Sequence, residues 1–269
     1  TANDAESSID GLFGLYEFKP VEKLTLTGGI RVDDHDTFGS ETTGRVAAAY
    51  NPVEQLVVRA SWGQGFKAPS IFQSTYICTF CGLTEPNADL QPESSEAFDI
   101  GADWTSEDGR AKAGITYFDQ DTENMIDFSY TAGYDNIAKV KSQGVELYGS
   151  YQFTDWLGVA ANYAYIDAED GDGNELSRLP ENSGDVTVSY DPEGPFSGAA
   201  LVRFNGDEAS TDGTTLDSWT RVDLTGSYDL TDSVELYGRI ENLFDEEYQQ
   251  ILGYGTPGLS GSVGVRLRY

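Results

Sequence analysis

The sequence predicts an all-β fold, an antiparallel up-and-down transmembrane β-barrel. Across residues 259–269 every second residue is apolar, aromatic or glycine, whereas Arg266 and Arg268 lie among the polar and small residues between them. A β-strand sends successive side chains to opposite faces, so this segment has one apolar and one cationic face. Similar segments recur almost to the N-terminus, yet only 39% of residues are hydrophobic and the mean hydropathy is −0.41. Because a soluble core is hard to build from such a chain, the apolar faces are predicted to meet lipid.

Alternation and turn signals divide the chain into about thirteen strands. They are predicted near residues 8–18, 22–33, 41–51, 55–65, 92–105, 109–127, 137–153, 156–168, 178–190, 196–207, 215–230, 233–243 and 258–269. No linker or change of composition divides the chain, so residues 1–269 are assigned to a single β-barrel domain. Bacterial single-chain barrels usually have an even number of strands, so an odd number favours part of a larger barrel.

The predicted connections alternate between short and long. Short turns are expected at residues 50–54, 153–156 and 228–232, and long loops at 66–91, 129–136, 169–177, 207–215 and 244–257. No segment approaches the roughly 18 consecutive apolar residues that a membrane helix needs, so any crossing is by strands. Short turns at one end and long loops at the other are typical of an outer-membrane barrel, with periplasmic turns and extracellular loops.

The charge of the chain argues against a nucleic-acid partner, and its single histidine argues against an enzyme. The chain has 46 acidic and 16 basic residues and a net charge of −30, whereas a nucleic-acid partner requires a basic surface. The acids concentrate in predicted loops. The single histidine, His35, lies between two aspartates and is interpreted as part of an exposed charged turn rather than as a catalytic base. Neither an enzyme nor a cofactor is predicted.

Four segments carry a family resemblance. Residues 59–70 (RASWGQGFKAPS), 87–94 (NADLQPES), 141–147 (KSQGVEL) and 241–248 (ENLFDEEY) occur in this order, before a terminal strand that ends on an aromatic ring. In these features the chain resembles the TonB-dependent outer-membrane receptors along essentially its whole length. The resemblance implies about thirteen strands of a 22-stranded type of barrel, from its C-terminal part, without the plug domain. Because the chain begins at Thr1 without a signal peptide, it is interpreted as a mature product or a fragment.

Within the family, the chain is most similar to vitamin B12 (cobalamin) receptors. The resemblance rests on residues 253–258 (GYGTPG), on residues 119–127 and on an expected turn at Asp33 and Asp34 followed by Phe38 and Gly39. Ferric-siderophore receptors share much of this pattern and are the alternative within the family. A passive porin and a soluble β-sandwich are further alternatives. The resemblance implies a location in the outer membrane of a Gram-negative bacterium and a small-molecule ligand. It also implies the lipid bilayer, TonB acting through the plug, and the barrel-assembly machinery acting on the C-terminal strand as partners.

Four side chains are candidates for ligand binding. The resemblance implies that Tyr254 faces the ligand in the last long loop and, less securely, that Arg178 lies near the mouth. The alternatives are an interfacial aromatic for Tyr254 and a salt-bridge partner for Arg178. Tyr76 and Phe80, in the long loop after residue 69, are candidates by position alone, the alternative being that they only pack the loop.

Cys78 and Cys81 form a Cys-x-x-Cys in the same loop. Zinc would need two further ligands, and His35 is distant in sequence, so no metal site is predicted. At an oxidising cell surface a small loop-closing disulfide between the two is expected. The terminal strand is expected to turn its 259–269 apolar face to lipid and Arg266 and Arg268 to the lumen. If one edge of this strand lacks a partner, its closing strand is expected to lie outside the chain.

Overall fold

A single antiparallel sheet dominates the structure. The computed structural model describes residues 6–129, 131–136 and 139–268. Its elements are, in chain order, β1 (Ile9–Val21), β2 (Leu24–His35), β3 (Gly39–Val53), β4 (Leu56–Lys67), α1 (Ile71–Thr75), β5 (Glu93–Thr105), β6 (Ala111–Glu123), β7 (Ile126–Ser129), β8 (Gly133–Asn136), β9 (Val140–Thr154), β10 (Leu157–Glu169), β11 (Asn182–Tyr190), β12 (Phe196–Asn205), β13 (Glu208–Ala209), β14 (Thr215–Leu216), β15 (Trp219–Thr231), β16 (Val234–Glu241) and β17 (Ser260–Leu267). None of the helices in the described part of the chain is long and apolar enough to cross a membrane.

The sheet contains thirteen strands, each hydrogen-bonded to its neighbours in the order β1, β2, β3, β4, β5, β6, β9, β10, β11, β12, β15, β16, β17. Every predicted strand is present, so the predicted all-β, antiparallel, up-and-down arrangement is confirmed. Among the described strands, β1 pairs only with β2 and β17 only with β16. That the closing strands lie elsewhere in a larger barrel stays a prediction.

Two predicted strands are divided differently in the structure. The strand predicted over 109–127 ends at Glu123 because Asn124 adopts a left-handed conformation, with φ of 56°. Residues 126–129 instead pair with 133–136 in a separate hairpin. Likewise, Thr215 and Leu216 leave the strand predicted over 215–230 and pair with residues 208–209. Both small hairpins belong to the connections, outside the main sheet.

The register gives the sheet one apolar and one polar face. Asp185 lies opposite Arg203 on one face, while Val186 lies opposite Val202 on the other. The apolar face is not covered by protein, because many of its large side chains are between 36% and 92% exposed; examples are Val32, Val46, Ile100, Ile115, Val186, Val202, Leu236 and Val263. An uncovered apolar face of this extent is the surface that a barrel presents to lipid.

The terminal strand follows this rule. Val263, Val265 and Leu267 lie on the apolar face, and Arg266 and Arg268 lie on the polar face, where both form ion pairs with the buried carboxylate of Glu235. Their predicted separation onto two faces is confirmed. The expected contact of Tyr269 with lipid lies outside the described residues.

The connections also alternate as predicted. Turns of two to five residues close one end of the sheet, at 22–23, 54–55, 106–110, 155–156, 191–195 and 232–233. The other end carries the connections 68–92, 124–139, 170–181, 206–218 and 242–259, together with the short segment 36–38. Aromatic rings cluster on the apolar face beside the short turns; ring centroids lie 5.4 Å apart in Trp156 and Tyr190, and 4.8 Å apart in Tyr151 and Phe153. Such rings form the interfacial belt of a membrane barrel.

We expect brominated lipids to distinguish the tryptophans of the two faces. Trp104 and Trp156 are 42% and 41% exposed on the apolar face, whereas Trp219 is only 5% exposed. In vesicles of the complete protein, Trp104→Phe or Trp156→Phe is expected to remove part of the bromine-quenched fluorescence, and Trp219→Phe is expected to remove none of it. Equal losses in all three variants would contradict the assignment of the apolar face to lipid.

Candidate functional site

The end of the sheet that carries the long connections is strongly acidic. Apart from Lys139 and Arg178, every charged residue in these connections is an aspartate or a glutamate. Hydrogen bonds keep some of these carboxylates ionised. The pKa of Asp170 is lowered chiefly by a hydrogen bond from the side chain of Asn174, and the pKa of Asp212 chiefly by one from Thr214. These two carboxylates therefore stay ionised at lower pH than ordinary aspartates do.

Five aromatic rings form a cluster at this end, on the connection 68–92 and the β7–β8 hairpin. They are Phe72, Tyr76, Phe80, Phe128 and Tyr134, hereafter the aromatic cluster. The rings of Tyr76 and Phe80 both contact Phe128, with centroids 5.9 Å and 6.0 Å apart, and Tyr76 contacts Tyr134 at 5.6 Å. The structure thus brings two of the predicted site residues together. Phe72 and Phe80 remain 60% and 65% exposed, so the cluster has an accessible aromatic rim.

Amide side chains fasten the two segments of the aromatic cluster to each other. The side chain of Asn136 accepts from the backbone N–H of Gln91 at 2.7 Å and donates to the Gln91 carbonyl at 2.9 Å. It also donates to the carbonyl of Asn124. Asn87 donates to the carbonyl of Tyr134 at 3.1 Å, and Glu93 accepts from the backbone N–H of Ile126 at 3.2 Å. The segment 87–94, which contributed to the family resemblance, therefore anchors this loop to the hairpin.

Cys78 and Cys81 are joined in a disulfide at the centre of this arrangement. Cys78 is completely buried and Cys81 is half-buried. Between them lies a 3₁₀ turn (Thr79–Cys81) that ends at Gly82, a glycine with φ of 82°. The left-handed conformation there suits glycine, which has no Cβ to clash.

Arg178 lies in the connection between β10 and β11. It has a left-handed φ of 66°, and its backbone N–H donates to the carbonyl of Ala209 at 2.8 Å. This bond ties its loop to the β13–β14 hairpin. The guanidinium is exposed and forms no ion pair with any described carboxylate. The salt bridge considered for Arg178 is therefore not formed with any residue that the structure describes.

Tyr254 projects from the connection between β16 and β17. Its side chain is 71% exposed, and its backbone N–H donates to the carbonyl of Ile251 in a tight turn. This position lies at the long-loop end, far along the chain from the interfacial belt beside the short turns. Its ring is therefore open to solvent at the end of the sheet that carries the long connections.

The base of this connection is fixed by Asn242, a residue that sequence reasoning did not single out. Asn242 is 1% exposed, has a left-handed φ of 53°, and donates its side-chain amide to the carbonyls of Glu246 and Pro257 at 2.9 Å and 3.3 Å. Its side-chain carbonyl accepts from the backbone N–H of Glu246 at 2.9 Å. Asp245 accepts from the backbone N–H of Leu259 at 2.7 Å. The two side chains thereby hold together the start and the end of the loop.

A second set of contacts attaches this base to the polar face of the sheet. The carboxylate of Asp223 accepts from the backbone N–H of Asn242 at 2.9 Å and from the guanidinium of Arg221 at 2.8 Å. Arg221 also donates to the hydroxyl of Tyr248 at 3.0 Å, and the Tyr248 ring stacks on Trp219 with centroids 4.3 Å apart. The segment 241–248 was treated as a family signature only, yet its buried Asn and its Tyr explain why that pattern occurs here.

A cleft of about 660 Å³ lies between residues 215–218 and residues 245–258. Polar side chains dominate its walls, among them Asp217, Glu246, Glu247, Gln249 and Thr256. The β13–β14 hairpin therefore contacts the loop of Arg178 on one side and borders the cleft of the Tyr254 loop on the other. Tyr76 and Phe80 lie on a different connection, and the described residues that line this cleft include none of the aromatic cluster.

Two expectations near the N-terminus are wrong. Asp33 and Asp34 lie within β2 rather than in a turn, which occupies residues 36–38. His35 is 7% exposed instead of lying in an exposed turn, because its ring contacts the hydroxyl of Ser7 at 3.1 Å and accepts from the backbone N–H of Thr37 at 3.1 Å. His35 holds the chain reversal together. Within the described residues, no three His, Cys, Asp or Glu side chains are grouped so as to hold a metal ion.

Comparisons with known proteins agree with this architecture. A family model described as "TonB dependent receptor-like, beta-barrel" matches residues 1–243. A vitamin B12 transporter, BtuB, of Photobacterium profundum is 32% identical over 235 residues, which cover 82% of this chain and 37% of that protein. BtuB of Vibrio cholerae is 30% identical over 251 residues, covering 87% of the chain and 38% of the relative. The chain thus spans less than two fifths of the length of these relatives.

Solved structures show the same fold. The ferric enterobactin receptor PfeA of Pseudomonas aeruginosa, in complex with enterobactin, aligns with a TM-score of 0.83 at 20% identity, covering 97% of this chain and 45% of that one. The copper transporter OprC aligns with a TM-score of 0.80 at 19% identity, covering 97% and 48%. These relatives are transporters and receptors of the Gram-negative outer membrane. Given the match of the family model along nearly the whole chain, the chain belongs to the TonB-dependent receptor β-barrel family.

Proposed function

We propose that the receptor containing this chain binds cobalamin at the acidic long-loop end and takes it up across the outer membrane. The observation that carries the proposal is the identity of 30–32% to two vitamin B12 transporters over more than four fifths of the chain. The solved siderophore and copper receptors are only 19–21% identical and support the fold alone. A ferric siderophore is the alternative ligand.

The charge of the loops favours a ligand without negative charge. Lys139 and Arg178 are the only bases in the long connections, and the Asp170 and Asp212 carboxylates are held in their ionised form. An anionic ferric complex would meet repulsion at this surface. Cobalamin carries carboxamide groups, whose N–H donors suit the carboxylates along the cleft beside the Tyr254 loop.

The proposed ligand-binding residues divide between the two groups of loops. Tyr254 and Arg178 offer an exposed aromatic ring and an exposed guanidinium on either side of the β13–β14 hairpin. Tyr76 and Phe80 offer the rim of the aromatic cluster. Large ligands are held by such convergence of aromatic and polar side chains from several loops, and only a few of these side chains carry most of the affinity.

The proposed partners follow the family. TonB acts from the periplasm through a plug domain, and its pull on the plug lets the bound ligand pass through the barrel. The barrel-assembly machinery engages the C-terminal strand during insertion. The polar face of the sheet, with its ion pairs around Glu235 and Asp223, lines the lumen in this arrangement.

Calorimetric titration of the complete receptor tests the ligand. We expect saturable binding of cyanocobalamin and no heat with ferric siderophores. Tyr254→Ala is expected to weaken cobalamin binding about tenfold, because an exposed aromatic contact is worth about 1.4 kcal/mol. Arg178→Ala is expected to weaken binding less than Tyr254→Ala.

The control is Tyr228→Ala, which removes another exposed tyrosine at the short-turn end of the sheet and should leave the affinity unchanged. Tight binding of a ferric siderophore without any response to cobalamin would refute the proposal. A passive porin would instead conduct ions without any ligand in planar bilayers.

A further inference from the structure

We propose that the Cys78–Cys81 disulfide is a redox-sensitive brace that holds the β7–β8 hairpin against the connection 68–92. Reduction of this one bond would then loosen both segments, although the two cysteines are only three positions apart and both belong to the first segment. The inference does not depend on which ligand the receptor binds.

The first observation is the position of the disulfide between the two segments. Cys78 is completely buried, whereas most of the surrounding loop is exposed. A Cβ at Gly133, in the hairpin, would lie 3.4 Å from the Cβ of Cys78 and 3.5 Å from Leu83. The Sγ atom of Cys81 lies 3.7 Å from the carbonyl oxygen of Ser129, at the other side of the same hairpin. Thus both halves of the disulfide pack directly on β7–β8.

The second observation is that the disulfide shapes the turn that presents its neighbours. The carbonyl of Cys78 accepts from the backbone N–H groups of Cys81 and Leu83, both at 3.1 Å. Tyr76 and Phe80 flank Cys78 in sequence, and the rings of both reach Phe128 of the hairpin. The short covalent ring therefore constrains the turn that carries Phe80 and begins two residues after Tyr76.

The side-chain hydrogen bonds between the two segments lie near β5. The amide contacts of Asn87 and Asn136 join the far end of the loop, next to β5, to the hairpin. Near α1 and the 3₁₀ turn, the segments meet through the disulfide and the aromatic cluster. Without the disulfide, the packing of rings and small side chains would have to hold the turn against the entropy of its open form.

The exposures of the two sulfurs define the route of reduction. A dithiol reductant attacks the Sγ of Cys81, the less buried residue of the pair, through its thiolate, forming a mixed disulfide and expelling the Cys78 thiolate, which takes up a proton. The second thiol of the reductant then attacks the reductant's first sulfur, which is bonded to Cys81 in the mixed disulfide. The reductant becomes a cyclic disulfide, and Cys81 is released as a thiol. Two electrons and two protons pass from the reductant to the cysteine pair.

Hydrogen exchange measured on the complete receptor in detergent tests the brace. With dithiothreitol, amides of residues 126–136 are expected to exchange at least about tenfold faster than in the oxidised protein, because the local opening equilibrium shifts. Reoxidation should restore the slow rate. The β13–β14 hairpin, which also lies on a long connection but contacts no cysteine, is the internal control and should exchange at the same rate in both states.

The Cys78→Ala, Cys81→Ala double variant separates this effect from any other action of the reductant. In that variant residues 126–136 should exchange quickly with or without dithiothreitol. Exchange in the hairpin that stays within twofold on reduction of the native pair would overturn the proposal. An equal acceleration in residues 208–216 would overturn it too.

Discussion

Asn242→Ala is expected to destabilise the complete receptor by about 4 kcal/mol. The change leaves the N–H of Glu246 and the carbonyls of Glu246 and Pro257 without their partner at a half-buried site, which costs about 3 kcal/mol in total. A further contribution of about 1 kcal/mol arises because alanine tolerates a left-handed φ less well than asparagine. Urea unfolding in detergent, followed by the heat-modifiable migration of the barrel, measures the sum.

Asn124→Ala is the matched control. Asn124 is also left-handed, with φ of 56°, but its side chain makes no hydrogen bond to any described residue. It therefore isolates the backbone contribution, and we expect a loss of about 1 kcal/mol. Equal losses in the two variants would show that the network around Asn242 contributes nothing to stability.

Val186→Arg is expected to cost about 2–4 kcal/mol, whereas Thr187→Arg is expected to cost almost nothing. Val186 occupies the centre of β11 on the apolar face and is 39% exposed, so an arginine there would enter the middle of the bilayer. The next residue, Thr187, points to the polar face. Folding titrations in lipid vesicles measure both variants in the same strand at the same depth.

The comparison depends on the assignment of the two faces. A larger loss for Thr187→Arg than for Val186→Arg would place lipid on the polar side and refute that assignment. Both strands beside β11 pair with it along its length, so neither variant is complicated by a free edge.

The thirteen strands were predictable because apolar and polar residues alternate along each of them in the sequence. In β11, Val186 and Val188 occupy one face while Asp185 and Thr187 occupy the other, and neighbouring strands repeat the pattern in register. The short hairpins were not predictable in this way. Residues 126–129 continue the β6 pattern in sequence, and only the left-handed Asn124 separates them from it.

The location of the candidate site was predictable from the sequence, but the hydrogen bonds that anchor its loops were not. Long loops and their exposed aromatic residues, such as Tyr254, can be read from the sequence. The anchoring of those loops depends on pairs that are distant in sequence, such as Asp223 with Asn242 and Asn87 with Tyr134. The burial of His35 arises in the same way, through Ser7 on the neighbouring strand end, so a local pattern of charges gave the wrong expectation.

The clamp formed by Asn242 and Asp245 also makes the last loop separable from the barrel. Its two ends are fastened at Glu246, Pro257 and Leu259, and Thr256 adds a hydrogen bond to the carbonyl of Tyr248 at 2.7 Å. Between these points the chain makes local hydrogen bonds, such as those from the N–H of Gly253 to the side chain of Gln249 and from the N–H of Tyr254 to the carbonyl of Ile251. The residues between these points can therefore be replaced by another loop without removing the hydrogen bonds that hold its two ends together.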